Sequence, residues 1–245
     1  MKLSLILLSG LFFPGISMAQ YTDSVSHHSK PKVVEFIPAA AAVGYGFIAL
    51  NNNTLRRFDN YIHEQTNRRH PGFNTSADDY LRYLPIVAVY GLDLAGVKGK
   101  HNFVDKSALL LISGTLTMGS VHLLKSSSNR MRPNGLNDYS FPSGHTATAF
   151  ASAEFLRQEY GDVSVWYTIG GYSVATATGV LRMYKNYHWF SDVVAGAGLG
   201  ILSTKFAYVI YPSIRKWVTG KDQSNFVMMP VYQNRAAGFA FSGKF

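Results

Sequence analysis

The chain of 245 residues has no cysteine, and its 14 acidic residues are outnumbered by 23 lysines and arginines. The absence of cysteine excludes disulfide bonds, thiol catalysis and cysteine-ligated metal sites. The net charge of +9 at pH 7 favours an anionic partner, such as nucleic acid, an acidic lipid surface or a phosphate ester. The basic residues are scattered and form no nucleic-acid-reading motif, so we expect no nucleic-acid partner.

Charged residues of either sign are scarce, at 15% of the chain, whereas apolar residues make up 47%. This balance is apolar for a soluble protein and polar for a polytopic membrane protein, and the mean hydropathy of +0.02 lies at the same boundary. The length is enough for one domain of good size or for two small ones. We therefore expect a folded core with some membrane contact.

The N-terminus has the pattern of a secretory signal. Lys2 precedes an apolar run over Leu3–Ile16, and Ser17-Met18-Ala19 offers small residues at the two positions that a signal peptidase reads. We predict a signal peptide over residues 1–19 and export to the cell envelope, with an uncleaved membrane anchor as the alternative. The polar residues 20–32 predict a linker.

Six apolar stretches follow without the alternation of strands, so we predict helices. These stretches are Val33–Leu50, Leu84–Val97, Ser107–Leu124, His145–Leu156, Ser164–Leu181 and Val193–Tyr211. The sequence thus predicts an all-α fold, a bundle of about six core helices over residues 33–218 with its active site between helix ends. The charged segment between the first two stretches, which includes Asp59, is predicted to face solvent.

Membrane topology follows from the lengths of these stretches. A span needs about 20 apolar residues, and Ser107–Leu124 and Ser164–Leu181 come near that length. Three full crossings after a cleaved signal would place the residues that follow Lys125 on the cytoplasmic side. We therefore expect either that one of the first three stretches does not cross, or that the bundle lies in or on the periplasmic face.

The C-terminal tail, residues 219–245, changes character. Phe239, Phe241 and Phe245 alternate with other residues after a run of apolar side chains, which predicts a short β-hairpin or an extended arm. Two strands cannot close a barrel, so we expect the tail to be structural.

The first of three polar clusters pairs Lys125 with Arg132. The two residues are seven apart, about two helical turns, so we predict that both project from one face of a helix that Pro133 ends. Two fixed cations suit an oxyanion, because arginine offers a planar fork and lysine a point charge. Basic residues at helix ends are also common for dipole reasons, so the pair alone does not define a site.

The second cluster is Pro142-Ser143-Gly144-His145. Proline and serine are typical of a helix start, and glycine lets the backbone approach a ligand closely. The free N–H groups of such a start bind anions, the Ser143 hydroxyl adds a donor, and His145 lies within reach of the same anion. An ordinary capped helix with a surface histidine is the alternative.

The third cluster contains Arg182, His188 and Asp192. The histidine and the aspartate are four residues apart, so on a helix they share a face and can form a hydrogen bond. A carboxylate on one imidazole nitrogen fixes the tautomer and leaves the other nitrogen free to attack. Arg182 does not share that face, so we predict a turn around Lys185-Asn186. A core histidine held by an aspartate is the alternative.

In order, Lys-x6-Arg-Pro, Pro-Ser-Gly-His and Arg-x5-His-x3-Asp resemble the motifs of the phosphatidic acid phosphatase type 2 (PAP2) and vanadium haloperoxidase superfamily. The similarity covers residues 125–200, roughly a third of the chain. One position departs from the pattern: Leu181 stands where the family usually has serine, which removes one hydroxyl near the site. The ionic residues of all three motifs are present.

The resemblance implies a role for each motif residue. The residues that would bind the phosphoryl oxygens are Lys125, Arg132, Ser143, Gly144 and Arg182. His188 would attack phosphorus to form a phosphohistidine, Asp192 would orient it, and His145 would protonate the leaving alcohol as general acid. The resemblance implies no cofactor and no metal ion, because three cations take the place of the metal.

The same resemblance leaves the substrate open between two branches. Lipid phosphatases act on phosphatidate, undecaprenyl pyrophosphate or lipid A, whereas soluble periplasmic acid phosphatases act on small esters. Positive charge and apolar helices favour a phosphorylated lipid at an anionic membrane surface, and the short helix after His145 favours the soluble type. We predict a lipid phosphatase at the periplasmic face. A soluble acid phosphatase is the alternative, ahead of a haloperoxidase or a non-catalytic envelope protein.

Overall fold

The computed structural model describes residues 33–219, 226–233 and 236–243, the last two ranges for their backbone only. The predicted signal peptide and linker lie outside the described residues. A 3-10 turn over Val33–Phe36 leads into eight α-helices. These are α1 (Ile37–Asn51), α2 (Asn53–Arg69), α3 (Ala77–Leu81), α4 (Leu84–Leu94), α5 (Phe103–Ser128), α6 (Gly144–Tyr160), α7 (Val165–Tyr184) and α8 (Phe190–Thr219).

All six apolar stretches form helices, which confirms the predicted helical bundle. Their starts carry recognisable caps: side-chain oxygens of Asn102, Ser143 and Ser164 accept backbone N–H groups at the beginnings of α5, α6 and α7. Helices α2 and α3 were not predicted, because α3 is short and charged residues dominate α2, in which only Leu55, Phe58 and Ile62 recur at helical spacing. Asn52 nevertheless caps α2 by accepting from the backbone of Thr54.

Helix α6 is the centre of the bundle and contacts α4, α5, α7 and α8. Its alanines make this possible, because small side chains let four helices approach. Helix α8 approaches through glycines: a Cβ on Gly196 would lie 2.6 Å from the Ser143 carbonyl oxygen, and one on Gly200 would overlap the carbonyl of Ala147. Side chains as small as these let α8 pack closely on α6.

The direction of each helix decides where the motifs meet. Helices α6 and α8 run parallel, since Gly196 abuts Ser143 and Thr204 further along α8 donates to the Ala151 carbonyl at 3.2 Å. Helix α7 runs the opposite way, because Gly179 near its end faces Thr146 at the start of α6.

Helices α1 and α5 also run opposite to α8. Gly46 near the end of α1 faces the Ser191 carbonyl at the start of α8, and Lys125 near the end of α5 lies beside Gly144. One end of the bundle therefore gathers the N-termini of α6 and α8 and the C-termini of α1, α5 and α7. We call it the polar end, and the other the distal end; all three motifs lie at the polar end.

Three of the described helices are long and apolar enough to cross a membrane by length and composition: Val33–Asn51, Phe103–Ser128 and Phe190–Thr219. Helix α4 has 11 residues, a length of about 16 Å, roughly half of a hydrocarbon core. Of the first three apolar stretches, the second is therefore too short to span as a single helix. Because α1 ends at the polar end and α5 begins at the distal end, the chain returns along the bundle between them, and the number of membrane crossings stays a prediction.

After α8, strands β1 (Phe226–Gln233) and β2 (Ala236–Gly243) pair antiparallel. Phe226 is opposite Gly243, and Gln233 is opposite Ala236.

Candidate active site

The polar end joins two helix N-termini, those of α6 and α8, on one small surface. Each N-terminus carries a partial positive charge and backbone N–H groups without intrahelical partners. At the start of α8 the carboxylates of Asp59 and Asp192 accept from such groups, and the start of α6 favours a further anion. The side chains of the three predicted clusters surround these two N-termini. The fold therefore brings together residues that the sequence separates by up to 67 positions, from Lys125 to Asp192.

Lys125 and Arg132 reach this surface from different elements. Lys125 lies in the last turn of α5 and donates to the Tyr139 carbonyl at 2.7 Å. Helix α5 ends at Ser128, because Asn129 adopts a left-handed conformation with φ of 44°. Arg132 lies in the following loop, so the prediction that one helix carries both cations and ends at Pro133 is wrong.

Arg132 and Arg182 share the ring of Tyr187. Their guanidinium carbons lie 5.5 Å and 4.4 Å from its centroid, which fits cation–π contact. The Nε atoms of both arginines are buried without a hydrogen-bond partner among the described residues. Burial and the charge of Arg182 lower the pKa of Arg132, as expected for two cations held close together without full compensation. An anion would relieve both effects.

A turn separates Arg182 from His188, as predicted. Helix α7 ends at Tyr184, and Asn186 follows with φ of 62°. The turn carries His188 back over the polar end just before α8 begins.

His188 is buried, and its ring is held from one side. Its Nδ1–H donates to the Ser140 carbonyl at 2.8 Å, which leaves Nε2 as the nitrogen with a free lone pair. Burial lowers the pKa of His188 to about 4, against the opposing effect of the Asp192 carboxylate. A neutral imidazole with one free nitrogen is the form that a nucleophilic histidine needs.

Asp192 does not hold His188 by the expected direct bond. Its Oδ2 lies 3.8 Å from His188 Nδ1, which is longer than a hydrogen bond. It accepts instead from the Ser140 hydroxyl at 2.5 Å, from the Trp189 backbone N–H at 2.9 Å and from Arg130 at 2.7 Å. Asp192 thus fixes the Ser140 segment that in turn orients the imidazole.

Asp59 on α2 holds the start of α8 and the Arg130 side chain in place. It accepts from the backbone N–H of Ser191 at 2.9 Å and from Arg130 at 2.6 Å, and only 1% of it is exposed. The expectation that the charged segment faces solvent is therefore wrong for Asp59. Arg130 joins Asp59 to Asp192, and neither Asp59 nor Arg130 was predicted, since a lone acid among exposed arginines gives no sequence signal of burial.

Ser143 and Gly144 form the start of α6. Ser143 is fully buried; its hydroxyl lies 2.8 Å from the Thr146 hydroxyl, and its N–H donates to the Asp192 carbonyl at 3.0 Å. Gly144 packs beside Lys125, where a Cβ would lie 3.8 Å from its side chain. The serine is thus placed to fix the loop, and the glycine N–H is placed at the helix start beside a cation.

His145 meets an acidic residue that the sequence analysis missed. Its Nε2 lies 2.7 Å from Asp79 Oδ1, on the short helix α3. The neighbouring Asp78 is buried and accepts from Arg182 at 2.7 Å and from Lys185 at 2.8 Å. Burial lowers the pKa of His145, Arg182 lowers it further, and the bond to Asp79 opposes both.

Donor atoms of Asp78, Asp79 and His145 lie within 4.8 Å of one another, a spacing that a metal ion accepts. Two positive side chains, Arg182 and Lys185, already balance the two carboxylates. Because a divalent cation prefers a site with net negative charge, we do not assign these three residues to a metal.

Comparison with known proteins gives a matching family. Residues 106–216 match the sequence model described as the PAP2 superfamily. The chain is 41% identical over 152 residues to the lipid A 1-phosphatase of Porphyromonas gingivalis, covering 60% of this chain and 34% of that protein. It is 27% identical over 150 residues to a PA-phosphatase related-family protein of Dictyostelium discoideum, covering 51% and 55%. The chain thus spans roughly a third to a half of these relatives.

Two solved structures resemble the fold. The transmembrane PAP2 type phosphatidylglycerolphosphate phosphatase from Bacillus subtilis aligns with a TM-score of 0.50 at 21% identity, covering 72% of this chain and 97% of that chain. LpxE of Aquifex aeolicus aligns with a TM-score of 0.45 at 23% identity, covering 59% and 93%. The first of these supports the helical fold described above.

Proposed function

The chain belongs to the PAP2 superfamily, and we propose that it is a membrane-embedded phosphatase of the cell envelope. In this proposal it hydrolyses phosphate monoesters or pyrophosphates of envelope lipids through a phosphohistidine intermediate, without a metal ion. The observation that carries the proposal is the arrangement of the polar end. There the buried, neutral His188 has one free ring nitrogen, and Lys125 and Arg132 lack carboxylate partners among the described residues.

The cations fit a phosphoryl group. Among the described residues, neither Lys125 nor Arg132 has a carboxylate partner, and the buried Nε of Arg182 has no partner at all. Three cations and the Gly144 N–H can bind the three non-bridging oxygens as charge shifts onto them in the transition state. Preorganised donors of this kind supply several kcal/mol of catalysis, about 2.7–4 for each one removed elsewhere.

The steps follow from the two histidines. His188 Nε2 attacks phosphorus, the bond from phosphorus to the ester oxygen breaks, and the leaving oxygen takes a proton from His145. His145 is then neutral and accepts a proton from the water that attacks the phosphohistidine. Inorganic phosphate leaves, and both histidines return to their starting states. Ser140 keeps the proton on Nδ1 of His188 throughout, with Asp192 holding Ser140.

A lipid substrate is favoured over a small ester by the outer surface of the bundle. Only 17% of the apolar window of α1 and 22% of that of α5 are buried inside the structure. On α5, Leu111 and Met118 are each 71% exposed. A soluble periplasmic enzyme would have to present these long apolar faces to water. The relative at 41% identity is a lipid A 1-phosphatase, which agrees with a phosphorylated lipid of lipid A, undecaprenyl pyrophosphate or phosphatidate type.

We place the polar end at the periplasmic face, where exported lipids are processed. This placement has a consequence for the N-terminus, because residue 33 lies at the distal end. If cleavage after Ala19 releases residue 20 on the outer side and α1 then crosses the membrane, the polar end faces inward. A periplasmic site and a full crossing by α1 after that cleavage are therefore mutually exclusive.

The test is phosphate release by the purified protein in detergent with excess EDTA, from an aryl phosphate and from lipid phosphates. Three proteins are compared: the wild type, His188→Ala, and His101→Gln as the histidine control, since His101 bonds Glu159 at the distal end. We expect release that survives EDTA, is retained in the control and is lost in His188→Ala, with a preference for lipid phosphates. Equal release by His188→Ala would refute the histidine mechanism.

A further inference from the structure

Helix α3 has five residues and lies against α6 and α7, the two helices that carry His145 and Arg182. Its two consecutive acids both point at the polar end. Asp79 accepts from His145, and Asp78 accepts from Arg182 and Lys185. These acids precede the first motif by more than forty positions and belong to none of the three clusters.

We infer that Asp79 is the positioning residue of the general acid His145, and that Asp78 is the positioning residue of the phosphate ligand Arg182. The inference rests on the proposed phosphatase function and adds to it a division of labour between two adjacent side chains. One acts on the leaving group, and the other acts on the phosphoryl group.

The role of Asp79 follows from the two nitrogens of His145. Its carboxylate engages Nε2 at 2.7 Å, so Nδ1 is the nitrogen that serves the leaving oxygen. In the imidazolium form, Nε2–H donates to Asp79 while Nδ1–H is transferred. In the neutral form, Nε2 keeps its proton and still donates it to the Asp79 carboxylate. The lone pair of Nδ1 can then accept a proton from water. The same bond therefore serves both halves of the reaction.

The charges around His145 make this partner necessary. Burial disfavours the imidazolium, and Arg182 on α7 and Arg82 just after α3 disfavour it further, so the pKa of His145 lies below 6.5. The opposing groups are Asp79, through its hydrogen bond, and Asp78. Asp79 is the main group that raises the pKa of His145 against burial and the two arginines. Without its charge, the pKa of His145 would fall further, and the imidazolium would lose its proton at a lower pH.

The role of Asp78 follows from its burial. It has no exposed surface and holds Nη1 of Arg182 at 2.7 Å and Nζ of Lys185 at 2.8 Å. This bond fixes the guanidinium over the Tyr187 ring and leaves its Nε, which has no partner among the described residues, available to the phosphoryl group. Loss of the charge would loosen a phosphate ligand without touching the proton donor.

The two roles predict different dependences on the leaving group. General acid catalysis matters most when the leaving alcohol is a poor one and hardly at all when it is a strongly acidic phenol. A defect in proton donation is therefore large for alkyl and phenyl esters and small for dinitrophenyl esters. A defect in phosphoryl binding affects all esters alike, because the phosphoryl group is the same in each.

The experiment measures kcat/KM for aryl phosphates of increasing leaving-group pKa with the full-length protein in detergent. The variants are Asp79→Asn, Asp78→Asn and Asp79→Glu, with Asp162→Asn as the matched control, an exposed acid between α6 and α7 at the distal end. For Asp79→Asn we expect a loss of about 100-fold with phenyl phosphate and less than about 3-fold with dinitrophenyl phosphate.

Three further results are expected: a shift of the alkaline limb of the pH profile to lower pH in Asp79→Asn, partial recovery in Asp79→Glu, and a uniform loss in Asp78→Asn. The Asp79 side chain is 46% exposed, so its amide variant should fold. Parallel leaving-group plots for Asp79→Asn and the wild type, with an unmoved alkaline limb, would overturn the inference. A wild type that releases phosphate neither from these esters nor from lipid phosphates would instead overturn the proposed function.

Discussion

The two ends of the helical bundle both bury charges, but they balance them differently. At the distal end, four acids pair with five basic residues: Asp93, Asp105, Glu154 and Glu159 with His101, Lys106, Arg157, Lys205 and Arg215. Asp93 pairs with Lys106 at 2.5 Å and Asp105 with Arg215 at 3.2 Å, while Glu154 pairs with Arg157 at 2.6 Å. Glu159 bonds His101 at 2.8 Å. Each of these four acids has a basic partner.

At the polar end, five bases face four acids: Lys125, Arg130, Arg132, Arg182 and Lys185 with Asp59, Asp78, Asp79 and Asp192. Three of the bases have carboxylate partners, and Lys125 and Arg132 have none among the described residues. A buried charge without a partner costs stability. The distal end is therefore arranged to hold the helices together, and the polar end keeps a positive surplus for an anionic ligand at some cost to the fold.

The strongest way to break this comparison is to create an unpaired charge at the distal end. Lys106→Met leaves the Asp93 carboxylate without its cation, and we expect a loss of about 3–5 kcal/mol of unfolding free energy. At about 2–4 °C per kcal/mol for a chain of this size, the melting temperature in detergent should fall by roughly 10 °C. The folded variant should retain its kcat/KM.

The double variant Lys106→Met/Asp93→Leu is the control for that change. It removes both charges, and most of the lost stability should return, because replacing a buried pair by apolar side chains is often neutral. Equal melting temperatures for Lys106→Met and the wild type would show that the distal pair contributes nothing to the fold.

The reciprocal change removes one cation of the polar surplus. Arg132→Gln should lower kcat/KM by about 10²- to 10³-fold, the usual effect of one preorganised transition-state donor. The unfolding free energy should stay level or rise, because Arg132 has an unpartnered Nε and a lowered pKa. Arg69→Gln, an exposed residue at the end of α2, is the matched control. A large loss of stability in Arg132→Gln would mean that its charge is compensated after all.

The sequence predicts the core helices and the motif residues, but it does not predict the residues that support them. Helix periodicity located the six core helices, and motif spacing located Lys125, Arg132, His145, Arg182 and His188, because local pattern determines local structure. The supporting residues escaped prediction because their partners are distant in sequence: Asp59 meets Ser191 across 132 positions, and Asp79 meets His145 across 66. From sequence alone, an acidic residue in a charged segment is predicted to be exposed to solvent. Its burial depends on a partner that only the tertiary fold brings close.

A subtler error concerned Asp192. The spacing of four from His188 predicted a direct bond, yet His188 precedes α8 rather than lying on it, and the helical spacing does not apply. The carboxylate acts through Ser140 instead. Likewise, Asn129 ended α5 early, because a left-handed residue stops a helix as effectively as the Pro133 on which the prediction relied.

Two histidines of the polar end make the comparison testable through pH. His188 donates to a carbonyl and burial lowers its pKa to about 4, so it is protonated and inactive as a nucleophile only below that value. His145, with a pKa below 6.5, loses its transferable proton as the pH rises past that pKa. We expect kcat/KM to be bell-shaped, falling as the pH drops through about 4 and again before the pH reaches 6.5.

That profile is measured with one aryl phosphate, whose own ionisation is determined separately and divided out. His101→Gln at the distal end is the control and should keep both limbs, since His101 bonds Glu159 rather than the site. An acidic limb near pH 6.5 instead of 4 would show that His188 is not buried in a neutral state.

The last comparison assigns each end to a side of the membrane without any change in activity. The chain has no cysteine, so single cysteines can be labelled against a blank background. Leu136, 68% exposed between α5 and α6, reports the polar end, and Val163, 51% exposed between α6 and α7, reports the distal end. In spheroplasts treated with a membrane-impermeant maleimide, we expect Leu136→Cys to be labelled at once and Val163→Cys only after permeabilisation. The reverse pattern would place the site on the cytoplasmic side, as full crossing by α1 after a cleaved signal requires.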